Sequence, residues 1–174
     1  LSVKNYAKAH PHRNKPFTAG SKTEVATMGE HDFKTNERSV TLAADDVLRV
    51  ELVTDAGETI VLKDRLPVLA GEIVDATKLE AAYLDAFLRN ALATAKARDV
   101  LFSVHLKATM MKVSDPIIFG HVVRAYFAEV FERYGDQLAA AGLSANDGLG
   151  SILAGLDQLP DGPEIRAAFD AALA

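Results

Sequence analysis

The chain has 174 residues, 49% of them apolar and 25% charged, with a formal net charge of -5. This length suits one domain with a real hydrophobic core, and the acidic balance argues against general affinity for nucleic acid. The absence of cysteine excludes disulfides, thiolate catalysis and cysteine-based zinc or iron–sulfur sites. No apolar run reaches membrane-spanning length. Lys4, Asn5 and Lys8 interrupt the start before a leader-type apolar run forms, so a cytoplasmic protein is the expectation.

Residues 1–22 form a basic arm. Lys4, Lys8, His10, His12, Arg13, Lys15 and Lys22 all precede the first acidic residue, Glu24. Such a block is either a solvated, partly disordered arm or the border of an anionic site. Residues 23–174 read as a single α+β domain, with an antiparallel or mixed sheet packed by helices and a helix-rich C-terminal half. "TEVATM" (23–28) and "SVTL" (39–42) are β-prone. "VLRVELV" (47–53) alternates, with Leu48, Val50 and Leu52 on one face and Arg49 and Glu51 on the other. "TDAGE" (54–58) predicts a turn with Gly57 at positive φ, and "TIVLK" (59–63) returns as the antiparallel partner.

The period then changes. Thr77 and Glu80 have capping-box spacing, and Leu79, Tyr83, Leu84, Phe87, Leu88 and Leu92 recur at helical intervals, predicting a helix over 77–98. "VLFSVHL" (100–106) is short, β-branched and aromatic, which predicts a strand. Asp115-Pro116 predicts the next helix start, with Asp115 as N-cap and Pro116 in the first helical position. Phe119, Val123, Tyr126, Val130 and Tyr134 continue as an apolar stripe ending near Gly135 or Gly142. "NDGLG" (146–150) is a loop or helix start, "PDGP" (160–163) a break, and the tail from Glu164 a helix.

In a strand over 100–106, Leu101, Ser103, His105 and Lys107 share one face. That face grows polar toward its end and finishes on a cation. Lys107 is then either a strand-end lysine whose stem covers apolar surface or a group that holds an anion and moves a proton. The other constellations are weaker. His10 and His12 sit in the arm. His121 reads as a polar-face histidine, and Met110 and Met111 read as packing residues. Gly148 and Gly150 give G-x-G without a preceding strand or a complete G-x-G-x-x-G, so no dinucleotide loop is supported.

Several stretches resemble the monomeric-type NADP-dependent isocitrate dehydrogenases: "VKNYAKAHPH" (3–12), "SKTEVATM" (21–28), "LPVLAGEIVDAT" (66–77), "LFSVHLKATMMKVSDPIIFGH" (101–121) and "NDGLG". The resemblance runs through nearly the whole chain in one order. Proteins of that family are several times longer, so it implies that residues 23–174 are part of the larger domain of a longer enzyme. It further implies oxidation of isocitrate by hydride transfer to NADP, and loss of the middle carboxylate as carbon dioxide to give 2-oxoglutarate. A divalent Mg or Mn would hold the substrate oxygens. Within "HLKATMMKVSDP", Lys107 matches the family's proton-handling, substrate-contacting lysine. The family's metal-binding, cofactor-binding and remaining substrate-binding residues match nothing here. The resemblance therefore implies a segment inactive alone, with no cofactor or metal bound to it and the remainder of the same polypeptide as its partner. A stand-alone polycarboxylate-binding module and a self-association domain are the alternatives.

Overall fold

The computed structural model describes residues 1–12, 16–106 and 112–173. Lys107, Met110 and Met111 lie outside the described residues, as do Arg13 and Lys15 of the basic block. Within the described residues the chain runs α1 (Ser2–Ala9), α2 (Phe33–Asn36), β1 (Arg38–Thr41), β2 (Asp46–Val53), β3 (Thr59–Val68) and β4 (Ile73–Ala76). It continues through α3 (Ala81–Arg98), α4 (Ser114–Tyr126), α5 (Ala128–Ala140), α6 (Leu149–Gly155) and α7 (Gly162–Leu173). After α1 and the one-turn α2, the four strands precede the longer helices, in keeping with the α+β class expected from the sequence. The strands form two separate antiparallel ribbons, β1 with β4 and β2 with β3.

The β2–β3 hairpin follows its alternation. Leu52 faces Ile60 and Leu48 faces Leu66, with register shifts on either side of Val50. Gly57 takes the positive φ, +81°, that the turn requires. β1 finds its partner in β4 (Thr41 opposite Ile73, Arg38 opposite Ala76). The stretch 23–28, expected as a strand, forms none. Its start is tied instead to the end of α3: Lys22 Nζ donates to the Arg98 carbonyl at 2.9 Å, and the Arg98 guanidinium pairs with Glu24. Polar anchoring to a helix end replaces a ladder.

Two helix starts also differ from expectation. α3 begins at Ala81, and Glu80 flanks it without a side-chain cap. Thr77 and Glu80 do not bond each other because both are engaged elsewhere. The Thr77 hydroxyl donates to the Phe33 carbonyl at 2.5 Å, and the Glu80 carboxylate accepts from His31 Nδ1 at 3.2 Å. The capping box of this region is at Asp32 and Thr35, where Asp32 Oδ1 accepts from the Thr35 amide at 2.8 Å. That bond from the Thr35 backbone holds the Asp32 carboxyl below its usual value. α4 starts at Ser114, one residue before the expected cap. Asp115 lies inside the first turn and accepts from the Lys112 amide at 2.9 Å, which places Pro116 in the third helical position.

The expected apolar stripe is two helices, not one. It breaks at Phe127, whose ψ of 37° leaves the helical region. The Phe127 ring turns inward and meets Phe169 edge-on, with centroids 5.0 Å apart. Around it lies the core: Val123, Val130, Tyr134, Leu138, Ala145, Ile152, Leu156, Ile165 and Phe169. Val123, Val130 and Tyr134 of the stripe are buried, while Phe119 and Tyr126 stay exposed. Burial of these side chains ties α4, α5, α6 and α7 into one helical body by the hydrophobic effect.

Candidate functional site

α4 is held on two sides. From one side His121 Nδ1 lies 2.6 Å from Asp85 Oδ1 of α3, so the histidine expected on a polar face is a half-buried link between helices. On the other side Gly120 is pressed against the 3-10 turn Ala145–Asp147. A Cβ built on Gly120 would stand 1.9 Å from Asn146 Oδ1 and 3.0 Å from the Asn146 amide nitrogen. A glycine in the middle of a helix costs helix stability. Here it admits the close approach of the turn. Arg124 Nη2, one turn further along α4, sits 3.5 Å from the same Asn146 oxygen.

This contact shapes a cleft of about 440 Å³. Its walls are Leu106 and His105 on one side, Pro116 and Phe119 of α4 on another, and Asn146, Asp147 and Gly148 on the third. The segment 100–106 forms no strand, contrary to its pattern. Period two nevertheless survives locally: Ser103 Oγ and His105 Nε2 share a side and approach to 2.6 Å. The cleft therefore offers an imidazole, a carboxamide and a carboxylate beside apolar walls, the mixture that orients a small polar ligand. Leu106, immediately before Lys107 in the sequence, is part of its lining.

A second histidine–carboxylate pair lies at the start of α3, at its N-cap residue Glu80. The His31 ring stacks on Tyr83, with centroids 3.5 Å apart and planes 9° from parallel. Its bond to Glu80, helped by Lys78 Nζ at 3.3 Å, holds the Glu80 carboxyl below its usual value. His10 is also engaged locally, stacked on Tyr6 at 4.2 Å with Nδ1 3.1 Å from the Tyr6 carbonyl. Among the described residues no three of His, Asp and Glu converge as a metal site. Gly148 follows a 3-10 turn, not a strand, so G-x-G here does not fit a dinucleotide loop.

Asn146 and Asp147 as cleft walls escaped the sequence reading, which saw "NDGLG" only as a loop. The signal was available in Gly120: an isolated glycine inside a strongly apolar helix marks a close neighbour.

Comparison with known proteins gives a consistent result. The family model described as Monomeric isocitrate dehydrogenase matches residues 1–174. Isocitrate dehydrogenase (NADP) of Corynebacterium efficiens is 54% identical over 99% of this chain and 24% of its own length. The Corynebacterium glutamicum protein of the same name is 55% identical over 99% of this chain and 23% of its own. That of Azotobacter vinelandii is 39% identical over 100% of this chain and 24% of its own. The chain thus spans about a quarter of the length of the curated relatives it matches. With the family model matched along every residue, the chain belongs to the monomeric isocitrate dehydrogenase family.

Proposed function

We propose that residues 1–174 are one part of a longer, single-chain NADP-dependent isocitrate dehydrogenase, and that Lys107 handles a proton in its oxidative decarboxylation of isocitrate to 2-oxoglutarate. The observation that carries this reading is the family match over residues 1–174. The relatives' names supply the substrate and the cofactor.

Loss of carbon dioxide from a 3-keto carboxylate leaves an enolate, and its carbon must gain a proton to give the ketone. Lys107 in its ammonium form donates it: the Nζ–H bond breaks as the C–H bond forms, and the amine is left neutral. A lysine suits this task because its charge and donors ride on a flexible stem. The cleft beside Leu106 supports the placement, since its polar groups could orient a carboxylate substrate next to that lysine. The described residues fit neither a divalent Mg or Mn site nor a dinucleotide loop. Metal and NADP are therefore assigned to the remainder of the longer polypeptide, and the 174-residue chain alone is inactive. No helix among the described residues is long and apolar enough to cross a membrane, and we place the enzyme in the cytoplasm.

The test is Lys107→Met in the longer polypeptide. Its apolar stem is largely kept, so the melting temperature stays native-like while turnover falls roughly a hundredfold or more, typical for loss of a general acid or base. Lys112→Met is the control. That side chain is exposed, and its residue is engaged through the backbone amide. An equal loss in both variants, or unfolding by Lys107→Met, overturns the assignment. NADP reduction by the 174-residue chain that Lys107→Ala abolishes overturns the reading of it as an inactive part.

A further inference from the structure

The β2–β3 hairpin carries an apolar face whose half nearer the turn stays open among the described residues. Leu48, Val50 and Leu52 alternate onto that face from β2, and the register sets Leu66, Lys63 and Ile60 opposite them in turn, so one lysine stem lies among five aliphatic side chains. At the base the face is half-buried, at Leu48 and Leu66. Toward the turn it opens: Val50 is 44% exposed, Leu52 49% and Ile60 41%. Among the described residues each strand also has one unpaired edge, because the ribbon contains only two strands. An isolated two-stranded ribbon is marginal in water, and open apolar edges invite another chain. The alternation in the sequence is that of a strand with one side buried, so the pattern asks for a cover.

We infer that this face is covered by an apolar surface of the same longer polypeptide, outside residues 1–174, and not by a second copy. The inference rests on the reading of the chain as part of a longer single-chain enzyme. Two observations select this occupant. The relatives match this chain over 99% of its length, yet it makes up only 24% of theirs, so about three quarters of the polypeptide is available as cover. The family is described as monomeric, which leaves an intramolecular surface to do what a partner subunit would do in an oligomer. The hairpin is then a docking element that joins this part of the fold to the rest.

Thiol accessibility in the longer polypeptide tests this, with its other cysteines, if any, replaced by serine. Leu52→Cys reports on the face. Ile60→Cys, directly opposite, reports on the same face should the first variant misfold. Asp55→Cys, exposed at the turn, is the reference. A thiol reagent should modify the face positions at least tenfold more slowly than the turn position, and that ratio should not change with protein concentration. Equal labelling of face and turn overturns the inference. Protection that weakens on dilution makes a second copy the cover and overturns it too. NADP reduction by the same unlabelled protein separates the two ideas: active protein with an unprotected face refutes the docking element alone, whereas inactive protein with a protected face refutes the enzymatic reading alone.

Discussion

Gly120→Ala should destabilise the protein although alanine is the better helix former. Gly120 sits mid-helix in α4, and the added methyl would meet Asn146 Oδ1 at 1.9 Å and the Asn146 amide nitrogen at 3.0 Å. Rotating the carboxamide relieves the first contact but gives up its approach to Arg124. The second contact is with backbone and cannot rotate away, so the turn at Asn146 must shift by some tenths of an ångström. Alanine returns about 1 kcal/mol of helix propensity, while overpacking a close contact costs about 1–3 kcal/mol. The net loss is roughly 1 kcal/mol, or a fall of 2–4 °C in melting temperature for a chain of this size. Gly135→Ala is the matched control. It lies in α5 with nothing within 4 Å of its would-be Cβ, so propensity acts alone and the melting temperature should rise by about 2–4 °C. Circular dichroism melts of the two variants and the parent decide the matter. If Gly120→Ala raises the melting temperature as much as Gly135→Ala, the turn is not seated against α4 and the third wall of the cleft is misplaced.

Two predictions concern ionisation. Glu80 titrates below its ordinary 4.5, first because of the His31 bond and then because of Lys78. A depressed carboxylate contributes stability above its unfolded value that is lost as pH falls through its folded value. The stability gap between the wild type and Glu80→Gln should therefore be present above pH 4.5 and close as pH drops beneath it. A gap that is constant across denaturant midpoints measured from neutral to acid pH contradicts the pairing. Tyr134 donates to Glu164 Oε1 at 2.6 Å, and that bond, with burial, pushes its phenol above 10.0. In Glu164→Ala the Tyr134 midpoint should move down toward 10.0, followed by nuclear magnetic resonance of ring-labelled tyrosine, and an unmoved midpoint removes Glu164 as the cause.

Local chemistry was the most legible part of the fold. The β2–β3 hairpin follows from alternation plus one turn glycine, and α7 from an Ala-rich tail behind "PDGP". Helix starts were less legible, because a cap is a competition among acceptors. Thr77 and Glu80 have capping-box spacing, yet Phe33 and His31, more than forty residues earlier, engage them first. No local rule sees that. The break at Phe127 was hidden for a related reason. Neither glycine nor proline marks it, and the demand comes from Phe169, an aromatic partner far down the chain.

The site shows the same division. Lys107 was singled out through its sequence neighbourhood, and its alternation with His105 and Ser103 made a shared face the expectation. The 2.6 Å approach of Ser103 and His105 agrees with that alternation, yet no ladder forms over 100–106. A strand pattern encodes which side chains face inward, whereas a strand needs a neighbour to exchange backbone hydrogen bonds. Residues 100–106 and the open face of the hairpin thus pose one question, since each carries the periodicity of a packed strand without the packing. If the cover of Leu52 and Ile60 belongs to the rest of the polypeptide, the neighbour of 100–106 belongs there by the same reasoning. The side of this segment that carries Ser103 and His105 would then be completed by residues outside this chain, as the role proposed for Lys107 requires if substrate and cofactor are to meet it in one place.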